Sequence, residues 1–450
     1  MCYDETFALV ARIASVRLLV SAALQKGHII HQMDVKTAFL YGQIDRDIYL
    51  KYPKHFKSYK EGYCLKLQKS IYGLKQASKI WYENLQQALI DNEFIESEAS
   101  PCLFYKDDTY VLIYVDDILI TGTPEKVQLV KDYLYSKYQI KDMGEINQFL
   151  NLTFTPIENG YTITQSRQIL EILNEYQMDK CNPKSRPMVN QKIDSNSPLL
   201  TPDNQKKYTE ILGKLQYLSR HTRPDIAFSV SVLYRYITKP TEYNWSQVKQ
   251  ILQYLKYTIN VGISITSLEN SDPIRGYVDA NFAEDTNDRK STSGLIIYHN
   301  NNPIIWQSAK QDTVSLSTME SEYYALSEGV KRIIWTRKLL HELFLNENFP
   351  PTPIYEDNEA TIKFARGNAT LHKRTMHIDR KHFFVKDHEK KNTICIKEIS
   401  SNDNIADIFT KPLGSILFDK HKTTLCRVND KYNIQNLKQN TTEITTKITT

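Results

Sequence analysis

The feature that most constrains this chain is an acidic pair set inside an apolar run. Val111-Leu112-Ile113-Tyr114-Val115 leads into Asp116-Asp117, and Ile118-Leu119-Ile120 leads away from it. Flanks this apolar predict two buried strands. Adjacent carboxylates among such residues repel each other unless a cation lies between them. A strand-turn-strand with the aspartates at its tip, facing a divalent metal, reconciles these facts. Hairpin turns also favour Asp for local reasons, so the pair alone leaves a structural reading open.

The bulk of the chain sets wider bounds. Its 450 residues suggest two or three domains. A net charge of +5 points only weakly to a polyanionic partner. Cys2, Cys64, Cys102, Cys181, Cys395 and Cys426 contain no C-x-x-C pair, which argues against a zinc ribbon or a disulfide framework and for a reduced, intracellular setting. No apolar stretch approaches the ~20 residues of a membrane span, and no membrane partner is expected. Met1 to Thr6 lacks a signal-peptide layout.

Periodicity predicts helices over 5–30 (stopped by Gly27), 70–92 and 125–139, with a strand from Ile29 that carries Asp34 and gives way to a helical start near Tyr41. With the hairpin at 110–121 this makes a compact α+β layer. A Pro-, Asn- and Ser-rich stretch over 182–204 reads as a linker. Helices follow, and between 206 and 256 the cations Lys206, Lys207, Lys214, Arg220, Arg223, Arg235, Lys239, Lys249 and Lys256 far outnumber Glu210, Asp225 and Glu242. They predict either a phosphate-gripping face or an ordinary solvated one. From 274 the order becomes strands first: 274–282, 294–298, an Asn300-Asn301-Asn302 turn and 304–306, then a long helix over 317–345. A strand at 354–355, helices from 358 and over 376–388, a strand at 393–399 and a short helix at 405–409 complete it. The Lys-, Asn- and Thr-rich tail after Leu413 reads as disordered.

Asp34 follows Ile29-Ile30 and precedes Val35-Lys36-Thr37-Ala38-Phe39, where amides of a helix start would face a phosphate. Asp34 with Asp116 and Asp117 is a candidate metal-binding trio. Nucleotidyl transfer uses divalent ions about 3.5–4 Å apart that stabilise attacking and leaving oxygens, and Mg²⁺ keeps waters, so two or three carboxylates suffice. A lone Asp after a strand is also a common helix cap.

Three runs stand in order: Gln32-Met33-Asp34-Val35-Lys36-Thr37-Ala38-Phe39-Leu40-Tyr41-Gly42, Ser70-Ile71-Tyr72-Gly73-Leu74-Lys75-Gln76-Ala77, and Tyr114-Val115-Asp116-Asp117. They resemble the reverse transcriptase of copia-type LTR retrotransposons. Asp142-Met143-Gly144-Glu145 and His221-Thr222-Arg223-Pro224-Asp225 extend the resemblance, which runs almost from the N-terminus to Leu413. It implies that Asp34 and Asp116 bind both metals with Asp117 in support, that Phe39 is a gate excluding a 2′-hydroxyl, and that Tyr72 and Gly73 line the incoming nucleotide. On residues alone, Phe39 reads equally as core and Gly73 as a hinge. Family members usually carry Pro at the position of Ser78, which bears on where that helix starts. They also carry a basic, strand-rich fingers segment before the Glu5-Thr6-Phe7-Ala8 region, so the expectation is a fragment of a longer polyprotein with an incomplete nucleotide site.

A second acidic set is Asp279 at a strand end, Glu322 at the start of the long helix, Asp357 after a strand and Asp407 on the last short helix. Carboxylates on two strand ends and two helices can converge on one metal pair. This resembles the ribonuclease H fold, and the copia-type resemblance continues through Gly276-Tyr277-Val278-Asp279, Asp288–Gly294, Glu322-Tyr323-Tyr324-Ala325-Leu326, Glu356-Asp357-Asn358 and Ala406–Leu413. Such a cluster would bind Mg²⁺ and hydrolyse the RNA strand of an RNA–DNA hybrid. Ser317-Thr318-Met319-Glu320 fits a capping box with Glu320 returning to the Ser317 amide, which leaves Glu322 as the ligand and Glu320 as the fallback. His372, His377 and His382 recur every five residues, where helical metal pairs prefer three or four, so zinc is a minor alternative.

The expected architecture is therefore an α+β polymerase palm (a ferredoxin-like layer) with truncated fingers over 1–160, a helical thumb/connection over 161–270, an α/β ribonuclease H-like domain over 271–413 and a disordered tail over 414–450. The expected activity is RNA-directed DNA synthesis with ribonuclease H cleavage, using Mg²⁺ or alternatively Mn²⁺. The expected partners are an RNA template, a DNA primer, deoxynucleoside triphosphates and an RNA–DNA hybrid. The resemblance implies a cytoplasmic setting, in virus-like particles for an active element, with the nucleus as alternative. The rival is a non-catalytic transposon remnant that only binds nucleic acid.

Overall fold

The computed structural model describes residues 10–428 except 45–46, 54, 56–61, 190–196, 286–287, 345–347 and 368–378. The chain divides into two compact units, Met1–Ile146 with Lys338–Glu347, and Asn147–Arg337 with Asn348–Thr450.

The first unit is built on a six-stranded sheet. Its strands lie in the order Ile95–Glu96, Leu103–Lys106, Thr109–Tyr114, Asp117–Gly122, Ile29–Val35 and Ile140–Glu145. Neighbours pair antiparallel throughout. The two central strands around the acidic pair are buried along nearly their whole length, as expected of continuous apolar runs covered on both faces. The covering helices are Ile13–Gln25, Ala77–Asp91 and Pro124–Lys137. The first is buried at nine consecutive residues, Ser15 to Ala23, so it is a core helix rather than a one-faced one. The second begins seven residues later than expected: Ser70 to Gln76 is a turn segment in which Gly73 has φ +95°, outside the helical region.

The second unit contains two sheets. One joins Gln148–Phe149, Leu152–Ile157, Gly160–Thr164, Val261–Thr266 and Arg427–Val428. The other has the spatial order Asn302–Lys310, Thr292–His299, Ile274–Asn281, Thr352–Glu356, Ile394–Glu398. Its first three strands are antiparallel and its last two run parallel to Ile274–Asn281. Parallel neighbours need long crossovers, which the helix Thr318–Leu343 and the helices Glu359–Ala365 and Asp379–Lys390 supply. This strand order is the one expected of a ribonuclease H-like domain, and the first unit is an α+β layer.

Three expectations need correction. The boundary at 160/161 would cut a hairpin, because Leu152–Ile157 pairs with Gly160–Thr164. The region 161–270 is not purely helical and has no core of its own: Tyr208, Leu215, Ile251 and Leu255 share one cluster with Ile296, Ile408, Phe409 and Phe418. The tail is ordered at least to Val428, with a helix over Ser415–Leu425 and a short strand on Val261–Gly262, because Phe418, Leu425 and Cys426 are buried in that cluster. Among the described residues, no helix is long and apolar enough to cross a membrane.

Candidate metal-binding active sites

In the first unit the hairpin forms as its apolar flanks require. Tyr114 pairs with Asp117, so Val115-Asp116 is a two-residue loop. Val115 has φ 56°, a left-handed conformation that is strained for a β-branched residue. Two contacts hold this turn. The Trp81 indole Nε1–H donates to the Val115 carbonyl at 2.8 Å, and the Val35 amide donates to the Asp116 carbonyl at 2.9 Å. Trp81 is 1% exposed and packs edge-on against Tyr138, which in turn packs edge-on against Tyr41. Asp34 lies directly opposite Asp117 across the strand pair. Directly opposed residues bring their side chains to the same face. The structure thus brings Asp34, Asp116 and Asp117 together at one end of the sheet.

Electrostatics agrees. Burial, then the charges of Asp34 and Asp117, lift the Asp116 carboxyl above its ordinary range. Burial lifts Asp117 as well, opposed by the Gln32 Nε2–H that donates to its Oδ1 at 3.1 Å. Asp116 Oδ1 is buried without a hydrogen-bond partner. Crowded carboxylates with an orphaned oxygen fit an oxygen-seeking divalent cation. The Phe39 and Tyr72 rings pack at 4.7 Å, and the Tyr72 hydroxyl is held up by burial and then by the fields of Asp116 and Asp34. Phe39, Tyr72 and the turn glycine Gly73 therefore belong to the same neighbourhood as the acids. The helix expected after Asp34 is only a 3₁₀ turn, Ala38–Tyr41.

In the second unit Asp279 lies near the end of Ile274–Asn281, and Asp357 directly follows the parallel strand Thr352–Glu356. Two groups of three carboxylates have ligand atoms within 4.8 Å of one another among the described residues: Asp279, Asp357 and Asp407, and Glu322, Glu356 and Asp357. Among the described residues, Asp34, Asp116 and Asp117 are not gathered as closely. Asp407 reaches Asp279 because its 3₁₀ helix, Ile405–Phe409, lies close over the sheet. A Cβ on Gly294, the register partner of Asp279, would sit 2.7 Å from both the Ala406 carbonyl oxygen and Thr410 Cγ2. Thr410 Oγ1 donates to Asp279, Lys411 pairs with Asp407 at 2.7 Å, and Asn404 Nδ2 donates to the Val278 carbonyl at 2.8 Å. Burial raises Asp279 and drives Glu322 and Glu356 well above the carboxylate range, with mutual repulsion adding to it. Burial and then the Asp279 charge push Asp407 up to about 7. Glu322 Oε2 and Glu356 Oε2 are buried without partners.

Glu320 serves the helix start instead. Its carboxylate accepts from the Leu316 amide at 2.7 Å, one residue short of the expected Ser317 amide, while Ser317 Oγ accepts from the Glu320 amide. Several cations between 206 and 256 are engaged by other groups of the protein. Arg223 is fully buried in a two-bond pair with Asp225, Arg235 bonds Asp285 and Thr292, Lys214 pairs with Glu175, and Lys256 donates to the Cys181 carbonyl. Lys206, Lys207, Arg220, Lys239 and Lys249 remain exposed. His372 and His377 lie outside the described residues, as does the side chain of His382 on the helix Asp379–Lys390.

Sequence reasoning missed Gln32, Trp81, Thr410, Lys411 and Glu356. All but Trp81 stand within the runs that carry the family resemblance. An aromatic on an amphipathic helix reads as core, so Trp81 gave no signal.

Residues 1–190 match the family model described as reverse transcriptase (RNA-dependent DNA polymerase). The chain is 34% identical over 425 residues to the retrovirus-related Pol polyprotein from transposon RE1 of Arabidopsis thaliana, covering 92% of this chain and 28% of that one. It is 32% identical over 441 residues to the Pol polyprotein from transposon TNT 1-94 of Nicotiana tabacum, covering 94% of this chain and 32% of that one. The chain thus spans about a third or less of these relatives' length. A solved structure, LC11-RNase H1 in complex with an RNA/DNA hybrid, aligns with 30% of this chain and 93% of its own at 15% identity and a TM-score of 0.24.

Proposed function

Because the chain belongs to the family of copia-type retrotransposon Pol polyproteins, we propose that it is a reverse transcriptase–ribonuclease H segment. It copies RNA into DNA from deoxynucleoside triphosphates on a DNA primer and hydrolyses the RNA strand of the resulting hybrid. A cytoplasmic, particle-borne setting belongs to the same proposal, as does an assignment of 1–146 to the palm and of the following residues to a connection merged with the ribonuclease H-like part. The observation that carries it is the pair of separate carboxylate groups, the first with the partnerless Asp116 Oδ1 and the second with the partnerless Glu322 Oε2 and Glu356 Oε2 among its closely gathered acids.

A divalent cation pair, Mg²⁺ by preference, would supply charge stabilisation of the attacking and leaving oxygens. The residues do the rest. Asp34 and Asp116 offer oxygens from two adjacent segments, and Gln32 fixes Asp117 behind them. Phe39, backed by Tyr72, supplies the bulk that rejects a 2′-hydroxyl. In the second cluster Asp279, Glu322, Asp357 and Asp407 present the oxygens that would hold the cations beside the scissile phosphate. Thr410 and Lys411 fix two of those acids in place. Exposed Lys206, Lys207 and Lys249 would contribute sequence-independent phosphate contacts.

The test is a cross of two variants with two assays in Mg²⁺. Primer extension on an RNA template is lost in Asp116→Asn and retained in Asp279→Asn, and hybrid cleavage shows the reverse. Extension by the parent no higher than by Asp116→Asn would leave only a nucleic-acid-binding remnant. Equal cleavage by both variants would mean the second site is misassigned.

A further inference from the structure

We propose that Glu356 is a fifth metal-binding carboxylate of the second cluster, forming one cation position with Glu322 and Asp357, while Asp357 also serves the other position with Asp279 and Asp407. This rests on the ribonuclease H reading above and extends it. The geometry is two overlapping triads that share one residue, Asp357. Each triad gathers within 4.8 Å. Oxygens around one octahedral Mg²⁺ lie about 3 Å apart when adjacent and about 4.2 Å apart when opposite, so groups gathered this closely reach one ion by side-chain adjustment alone. A shared ligand is what a pair of ions about 3.5–4 Å apart needs.

Glu356 ends the strand Thr352–Glu356, which has a parallel neighbour on each side, and is 0% exposed. Its Oε1 accepts from the Asn358 amide at 3.1 Å, while Oε2 has no partner. Glu322, 4% exposed, presents a second partnerless oxygen in the same triad. Glu356 Oε2 is thus a fully buried polar atom without a hydrogen-bond partner, at a position where buried polar groups are ordinarily satisfied. Nor is the cluster's cation in position to neutralise it, because Lys411 is engaged by Asp407 at 2.7 Å. Two buried acids beside each other, each with an open oxygen, are satisfied together by one bound cation.

The experiment uses the full chain carrying Asp34→Asn and Asp116→Asn, which silences the palm acids. Mn²⁺ binding is counted by the electron paramagnetic resonance of the free ion, alongside the Mn²⁺-induced rise in melting temperature. This parent should bind two ions. Adding Glu356→Gln should weaken one of them by about tenfold or more, shrink the Mn²⁺-induced rise, and leave the metal-free melting temperature no lower. Asp357→Asn should weaken both ions, and Asp407→Asn only one. Two ions bound by Glu356→Gln with parent affinity would overturn the inference while leaving the ribonuclease H reading intact. A parent that binds no ion would instead remove that reading. Should Glu356→Gln fail to fold, Asp407→Asn decides: one retained ion supports the shared-ligand arrangement, and loss of both overturns it.

Discussion

Replacing Trp81 with Phe is the sharpest test of how the palm site is held. Phe keeps most of the ring packing against Tyr138 and Tyr41 but removes the indole N–H, which donates to Val115 at 2.8 Å. Leaving a buried carbonyl without its donor costs about 1–3 kcal/mol. The left-handed Val115 at φ 56° stores strain of the same order, about 1–3 kcal/mol. The hydrogen bond and the strain are therefore matched, and its loss releases the turn that carries Asp116. If that energy is lost from the transition state, kcat for primer extension falls roughly five- to 150-fold. KM for the nucleotide and hybrid cleavage by the second unit should be unchanged. Val115→Gly removes the left-handed penalty, so Trp81→Phe should lose less in that background. The assay is steady-state extension on an RNA template, with melting curves as a check on folding. A kcat equal to the parent's, or the same loss in both backgrounds, would refute the reasoning.

Three further outcomes follow from the second unit. Arg223→Met strands the buried Asp225 carboxylate, which is also bonded by Tyr254, and should lower stability by about 3–5 kcal/mol in urea unfolding monitored by tryptophan fluorescence. Gly294→Ala drives a methyl into the Ala406 carbonyl and Thr410, costs about 1–3 kcal/mol, and should depress hybrid cleavage without touching primer extension. Asp407, raised to about 7 by burial and by Asp279, binds its proton more tightly folded than unfolded, so in EDTA it makes the protein less stable as pH rises from about 4 to 7. The melting temperature of Asp407→Asn relative to the parent should accordingly climb across that window.

What the sequence disclosed depended on how local the signal was. The hairpin around Asp116 was legible because both flanks are continuous apolar runs, and the strand-first order after 274 was legible for the same reason. The strand over 261–266 was not, since its partner Gly160–Thr164 lies about a hundred residues away and neither segment signals the pairing. The tail helix was hidden by its Lys- and Thr-rich composition, although Phe418 and Leu425 anchor it in the core. Charge counting took Arg223 for a surface cation, because a sequence does not distinguish a buried, paired guanidinium from a solvated one. Glu356 was passed over for its neighbour Asp357, and only the strand's direction and burial reveal that both acids enter the cluster.

The central claim is that acids from distant segments converge into two separate cation sites. A crystal soaked in Mn²⁺, an oxygen-ligated stand-in for Mg²⁺, and measured at the manganese edge tests it directly. Anomalous peaks are expected between Asp34 and Asp116 and within the group Asp279, Glu322, Glu356, Asp357 and Asp407. Peaks absent from both places, with the carboxylates instead neutralised by lysine or arginine, would contradict it.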